Sequence, residues 1–160
     1  MSYKERIAIE CEISNLNELT KVELLLIVKA KEALAKAYAP YSKFHVGASI
    51  LLDDETIVTG NNQENAAYPS GMCAERVALF HVGSNFSDKK ILKMAVVAGP
   101  FGSEDFVEAC PCGSCRQVML EYQNNQGDPI EVLILRPNDE VLKVSVADLL
   151  PFAFDKNVLK

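Results

Sequence analysis

Apolar and polar positions alternate along the chain in two periods, and the switches between them mark out its elements. In Arg6–Ile13, residues Ile7, Ile9, Cys11 and Ile13 take every second position, the period of a half-buried strand. Cys11 then reads as a small buried hydrophobe. Thr20-Lys21-Val22-Glu23 is a capping box, and Val22, Leu25, Leu26, Lys29, Ala30, Ala33 and Ala37 follow at helical spacing. This predicts a helix to about Tyr38, stopped by Pro40. Two strand-like runs, His45–Leu52 and Thr56–Gly60, flank Asp53-Asp54-Glu55 and predict a hairpin. Residues 61–71 carry turn residues and no period, whereas Cys73–Val82 is apolar nearly all round, as in a helix buried inside a domain. Ile91–Ala98 reads as a central strand and 99–108 as a loop. A helix from about Cys112 to Gln123 then shows Cys115, Val118, Met119 and Tyr122 on one stripe. Ile130–Leu135 and Val141–Val144 are two further strands around Pro137-Asn138-Asp139, and Ser145 caps a short last helix before Leu149–Phe154.

Helices alternating with strands predict an α/β domain of three layers, α/β/α, around a mixed sheet of about five strands. No repeat, low-complexity tract or linker interrupts it. Residues 1–160 therefore read as one domain, with 1–19 as a strand-like extension and a core at about 20–154. Helices that follow neighbouring strands start at the same sheet edge, which would bring Cys73 to Cys112 and Cys115.

Charge narrows the partners. The formal net charge is −6 with no basic cluster, which argues against nucleic acid. No apolar run is long enough for a bilayer and Met1–Arg6 lacks a signal-peptide core, so a cytoplasmic protein without a membrane partner is expected. In that compartment the five cysteines read as metal ligands and thiols, not as disulfides. His45 and His81 read as structural or solvent-facing.

Pro111-Cys112-Gly113-Ser114-Cys115 can chelate one metal ion, because two intervening residues turn both sulfurs to one side of a helical first turn. Zinc needs a third ligand, and Cys73 in Cys73-Ala74-Glu75-Arg76 supplies it. Cys-x-Glu followed by Pro-Cys-x-x-Cys is the pattern of the zinc deaminases in their three-cysteine variant. Three ligands leave a tetrahedral position open for water, as in catalytic zinc. Glu75 stands where it can shuttle protons between that water, a ring nitrogen and a departing amine. Arg76 would compensate the thiolate charge. Cys110 leaves the second ligand open to a rival assignment, although Pro111 favours its marking the end of the loop.

Four blocks in order carry a family resemblance: Tyr41-Ser42-Lys43-Phe44-His45-Val46-Gly47-Ala48, Asn62-Gln63-Glu64-Asn65-Ala66-Ala67-Tyr68-Pro69, Cys73-Ala74-Glu75-Arg76 and Pro111-Cys112-Gly113-Ser114-Cys115-Arg116-Gln117. Together they resemble the small homotetrameric zinc-dependent cytidine deaminases over roughly Ala30–Phe154. The resemblance implies hydrolytic deamination of cytidine and deoxycytidine to uridine and deoxyuridine, with one zinc ion per chain and attack of zinc-activated water on ring C4. It also implies that Phe44 packs on the pyrimidine, that Asn62 and Glu64 bind the ribose hydroxyls and that the Ala74 amide contacts the base. Leu149–Phe154 is similar to the family's last segment, with Phe152 where glycine usually stands. Phe154 and Tyr68 would lie where subunits of a homotetramer share their sites.

Deoxycytidylate deaminases and nucleic-acid base editors usually carry His-x-Glu, and a nucleotide substrate would need cations for its phosphate. A blasticidin-S-type nucleoside deaminase shares the three-cysteine site and stands as the alternative. Outside these, a structural zinc would need a fourth ligand, and a redox Cys-x-x-Cys would need neither Cys73 nor Glu75.

Overall fold

A computed structural model describes residues 2–103 and 105–159; Glu104, in the acidic loop before Cys110, lies outside the described residues. Among the described residues, six strands and four α-helices build the fold, with short 3-10 turns between them: β1 (Cys11–Asn15), α1 (Lys21–Leu34), β2 (Phe44–Leu52), β3 (Ile57–Asn61), α2 (Ala74–Asn85), β4 (Ile91–Pro100), α3 (Gly113–Gln126), β5 (Glu131–Leu135), β6 (Glu140–Ser145) and α4 (Val146–Leu149). The strands form one sheet of six in the order β1-β6-β5-β4-β2-β3. β4 and β5 pair in parallel, the crossover between them being α3. The other pairs are antiparallel.

The sheet is the middle of three layers. On one face α1 sets Leu26, Ile27, Ala30 and Leu34 against Leu51, Ala95, Val97, Leu133 and Val141. On the other, α2, α3 and α4 bring Ala78, Leu79, Val82, Met119, Leu120 and Leu149 onto Ile50, Leu52, Met94, Val96 and Ile134. β4 is apolar at consecutive positions because it is covered on both faces. Two glycines let the helices reach the sheet. A Cβ on Gly47 would stand 1.9 Å from the Ala30 carbonyl oxygen of α1, and one on Gly60 would stand 2.5 Å from that of Ala74 in α2. Among the described residues no helix is long and apolar enough to cross a membrane.

The N-terminal part departs from the pattern. Pairing with β6 begins only at Cys11, the buried side chain of β1 is Ser14, and Ile7, Ile9, Cys11 and Ile13 are exposed. The face of β1 turned towards α1 is polar. Ser14 donates to Glu12, whose carboxylate lies 3.5 Å from Lys143, and Lys143 in turn lies 3.5 Å from buried Glu23. The alternating apolar set therefore faces the uncovered side, and β1 is the sixth strand beyond the about five expected.

The first helix also stops early, at Leu34, because the chain beyond it is used elsewhere. Tyr38 donates its amide to the Asn62 carbonyl and accepts the Glu64 amide at its own. Within α1 the buried stripe includes Glu23 and Ile27 and leaves Val22 and Leu25 exposed, since the helix is turned to drive Glu23 onto Lys93 and Lys143. His45 is buried with Nδ1 3.3 Å from the Leu34 carbonyl oxygen, and His81 is exposed.

Candidate active site

Two of the three cysteines sit at helix N-caps. Cys73 precedes α2 and Cys112 precedes α3, both in extended backbone conformation, and neither uses its side chain to cap its helix. Each sulfur thus lies beside a helix N-terminus without closing it, where the unpaired amides carry partial positive charge. Cys115, in the first turn of α3, is fully buried, and its sulfur lies 3.5 Å from that of Cys112. The sulfurs of Cys73, Cys112 and Cys115 all lie within 4.8 Å of one another. Zinc–sulfur bonds of about 2.3 Å in a tetrahedron require sulfurs about 3.8 Å apart, so the spacing and chemistry of this donor set fit zinc. Cys110 is exposed, with its sulfur 3.9 Å from a Glu108 carboxylate oxygen, and is not among the three.

The cluster is built to hold negative charge. A hydrogen bond from Cys115 and the neighbouring Arg76 guanidinium hold the Cys73 thiol well below its ordinary range, against the opposing effect of burial. The same hydrogen bond, with burial added, pushes Cys115 up. Arg76 Nη2 donates to the Cys73 sulfur at 3.7 Å, while its Nε is buried with no partner among the described residues. Glu75 follows in the first turn of α2 and is 5% exposed. Burial first, and then the charge on Cys73, raises its carboxyl above the ordinary range.

These groups form one wall of a cleft of about 490 Å³. Its lining includes Cys73, Glu75, Arg76 and Cys112 on one side and Phe44, Val46, Asn62, Glu64 and Tyr68 on the other. Phe44 and Val46 share a face of β2, two residues apart. The Asn62 side chain holds them there: its Nδ2 donates to the Phe44 carbonyl at 2.9 Å and its Oδ1 accepts the Val46 amide at 2.8 Å. It thereby continues the β3 ladder beyond the end of the strand. Glu64 accepts the Tyr41 amide at 2.8 Å and the Ser42 amide at 3.3 Å. The Ser42 hydroxyl and these amides keep its carboxylate below the ordinary range.

Of the residues singled out from sequence, eight line this cleft: Phe44, Asn62, Glu64, Tyr68, Cys73, Glu75, Arg76 and Cys112. Cys115 and Ala74 are fully buried beside it. Phe154 is 59% exposed on its own chain and lies outside the described lining. Sequence reasoning missed Val46, Val96, Met72 and Ala109 in the lining. Val46 was accessible from the two-residue period of β2; the others have no local signal.

Residues 21–126 match the family described as cytidine and deoxycytidylate deaminase zinc-binding region. A cytidine deaminase from Sporosarcina psychrophila is 41% identical over 134 residues, which is 84% of this chain and 92% of that protein. The crystal structure of cytidine deaminase from Burkholderia pseudomallei superposes with a TM-score of 0.70 at 39% identity, covering 85% of this chain and all of the other. A blasticidin-S deaminase from Bacillus cereus is more distant, at 25% identity over 142 residues. The matched region spans both N-cap cysteines, the Glu75 turn and the whole of α3, and with them the chain belongs to the cytidine and deoxycytidylate deaminase zinc-binding family.

Proposed function

We propose that this protein is a zinc-dependent cytidine deaminase, converting cytidine and deoxycytidine to uridine and deoxyuridine. The observation that carries this is the set of three sulfurs within 4.8 Å of one another at the foot of a cleft that also holds the buried acid Glu75. Cys73, Cys112 and Cys115 hold the metal. Zinc supplies an electrophile that brings the acidity of a coordinated water towards neutral pH. Glu75 takes a first proton from water on a carboxylate oxygen and delivers it to the ring N3, then takes the second from the hydroxyl formed on C4 and delivers it to the departing amine. A C4–O bond forms, the C4–N bond breaks and ammonia leaves. The raised affinity of Glu75 for protons suits this shuttle, because a strongly acidic carboxyl would not take one up. Arg76 offsets the thiolate charge.

Phe44 stacks on the pyrimidine, Asn62 and Glu64 bond the ribose hydroxyls, and the Ala74 amide meets the base. Two amides and a hydroxyl already hold Glu64 ionised, as an acceptor for ribose hydroxyls must be. Arg76 is the one cation in the lining of the cleft and points at sulfur, so among the described residues nothing there waits for a phosphate. The substrate is a nucleoside. The working unit is a homotetramer in which Tyr68 and Phe154, 81% and 59% exposed on one chain, complete neighbouring sites. The chain acts as one catalytic domain, its extension joined to the sheet through β1, and works in the cytoplasm.

Loss of cytidine absorbance on adding the zinc-loaded protein tests the activity, with blasticidin S run in parallel. Glu75→Gln should keep zinc and fold while losing at least ~10²-fold in kcat. Wild-type turnover in a zinc-loaded Glu75→Gln protein would remove the proton-shuttle assignment, and turnover of blasticidin S alone would replace the substrate.

A further inference from the structure

The two helices that carry the cysteines each bear an arginine in the first turn, and the two are used differently. Arg76 reaches a sulfur. Arg116 turns away from the sulfurs and takes two main-chain carbonyls: Nε donates to Pro111 at 2.7 Å and Nη1 donates to Leu149 at 3.0 Å. Among the described residues it makes no ion pair with a carboxylate. The first carbonyl belongs to the turn that delivers Cys112. The second is the last residue of α4, where the C-terminal segment leaves the fold.

The next residue extends the attachment, since Gln117 Nε2 donates to the Phe154 carbonyl at 2.8 Å. Further along, Lys156 Nζ lies 3.2 Å from the Asn124 carbonyl oxygen near the end of α3. The segment from Leu149 to Lys156 is thus strung along α3 through groups of that helix, and its other side is bare: Phe152 is 84% and Phe154 59% exposed. Within one chain little apolar burial holds the segment beyond Leu150, so there its order rests on these polar ties.

We infer that Arg116 is a positioning residue that couples metal occupancy of the three-cysteine site to the order of the C-terminal segment. Tying Cys112 and Cys115 to one ion fixes the Pro111–Cys112 turn against the first turn of α3. That fixes the guanidinium whose far nitrogen holds Leu149, and Gln117 beside it holds Phe154. Released sulfurs let the Pro111 carbonyl move, and the guanidinium then loses one of its two anchors. By linkage the coupling is reciprocal: an ordered segment slows metal release. Lysine would replace this residue only in part, because its single ammonium nitrogen lacks the rigid fork by which the guanidinium holds the two carbonyls through separate nitrogens.

The inference rests on zinc occupying the site, and the test separates the two. Metal analysis of the isolated wild type decides occupancy; a zinc-free, fully active protein would remove the zinc reading on its own. Amide hydrogen exchange of residues 152–158 decides the coupling, measured on zinc-loaded and chelator-stripped wild type and on zinc-loaded Arg116→Lys and Arg116→Gln. Stripping should speed exchange in this segment about tenfold or more while β4 stays protected, the effect of losing a hydrogen bond to a charged group. Arg116→Gln should show the fast exchange with zinc still bound and give zinc to a chelator about tenfold faster, with Arg116→Lys between it and wild type. KM for cytidine should rise more than kcat falls. If stripping unfolds β4 as well, or Arg116→Gln does not fold, the zinc-loaded Arg116→Lys protein decides. Wild-type exchange and wild-type zinc release in that protein, or exchange in stripped but folded wild type that ignores zinc, would overturn the coupling.

Discussion

Replacing Glu23 by Gln probes the polar centre that joins the N-terminal extension to the sheet. The Glu23 side chain is 4% exposed, with Lys93 Nζ at 2.8 Å and Lys143 Nζ at 3.5 Å. It also accepts the Thr20 amide at 2.9 Å and the Thr20 hydroxyl at 2.8 Å, closing the cap of α1. Burial alone would raise its pKa. The hydrogen bond from Lys93, and then those from Thr20, overcome burial and bring it from 4.5 to about 2. A depression of that size is worth about 3 kcal/mol, at ~1.36 kcal/mol per pKa unit. The sign follows from the direction: a depressed carboxyl stabilises the fold fully above its unfolded value of 4.5 and loses that contribution as the pH falls towards about 2. Glu23→Gln should therefore lie about 3 kcal/mol below wild type in urea unfolding at pH 7, the difference shrinking below pH 4.5 to under about 1 kcal/mol near pH 2. Acid also releases zinc, but from both proteins, so the difference between them isolates Glu23. A difference under about 1 kcal/mol at pH 7, or one that stays constant down to pH 3, would refute the assignment.

Cys73→Ala, Cys112→Ala and Cys115→Ala should each lose zinc on metal analysis, while Cys11→Ala and Cys110→Ala keep it; metal retained in Cys115→Ala would break the ligand set. Gly60→Ala should cost about 1–3 kcal/mol and weaken zinc binding, because its Cβ would meet the Ala74 carbonyl oxygen at 2.5 Å and the Ala78 nitrogen at 2.6 Å, both backbone atoms at the start of α2. A variant with wild-type Tm and full zinc would show that α2 is free to shift. Phe154→Ala should raise KM for cytidine at near-wild-type Tm, unlike truncation of a core phenylalanine, which costs about 3–5 kcal/mol. Sedimentation should find a tetramer, and a fully active monomer would end the shared-site proposal.

What could be read from the sequence divides along a physical line. The metal site was legible because its ligands sit at helix starts, where local chain geometry alone places the Cys112 and Cys115 sulfurs together. The layers were legible because Met94–Ala98 of β4 is apolar at consecutive positions and must be covered on both faces. By contrast α2, apolar nearly all round over Cys73–Val82, buries only the face of Ala78, Leu79 and Val82 and leaves Phe80 and His81 exposed, because it lies on the outside of its layer. The extension was not, since Ile7, Ile9, Cys11 and Ile13 obey the strand period while the pull on β1 comes from Glu12 and Ser14 over Lys143 and Glu23. A hydrophobic pattern carries no record of ion pairs between residues far apart in the chain. For the same reason the stripe on α1 was misplaced: Glu23 reads as a capping glutamate, and nothing near it in sequence says that Lys93 and Lys143 will bury it. Arg116 and Gln117 stood inside a quoted motif, yet their partners Leu149 and Phe154 belong to a distant segment.

The position of the site follows from strand direction. β3 and β4 both run antiparallel to β2, so they run parallel to each other and both deliver the chain to the same sheet edge. α2 and α3 each begin there and lie on the same face. Two helix N-termini converge, and each would ordinarily be closed by a serine, threonine or aspartate whose oxygen accepts the free amides. Here both caps are cysteines that leave those amides unclosed, so two sets of partial positive charge face three sulfurs whose combined charge exceeds that of one zinc dication. Arg76 adds a full cation to the same side. Serine at residue 73 or 112 would cap its helix better, yet it would offer zinc a neutral hydroxyl in place of a thiolate. Better helix capping together with loss of metal is therefore what this arrangement requires of Cys73→Ser and Cys112→Ser.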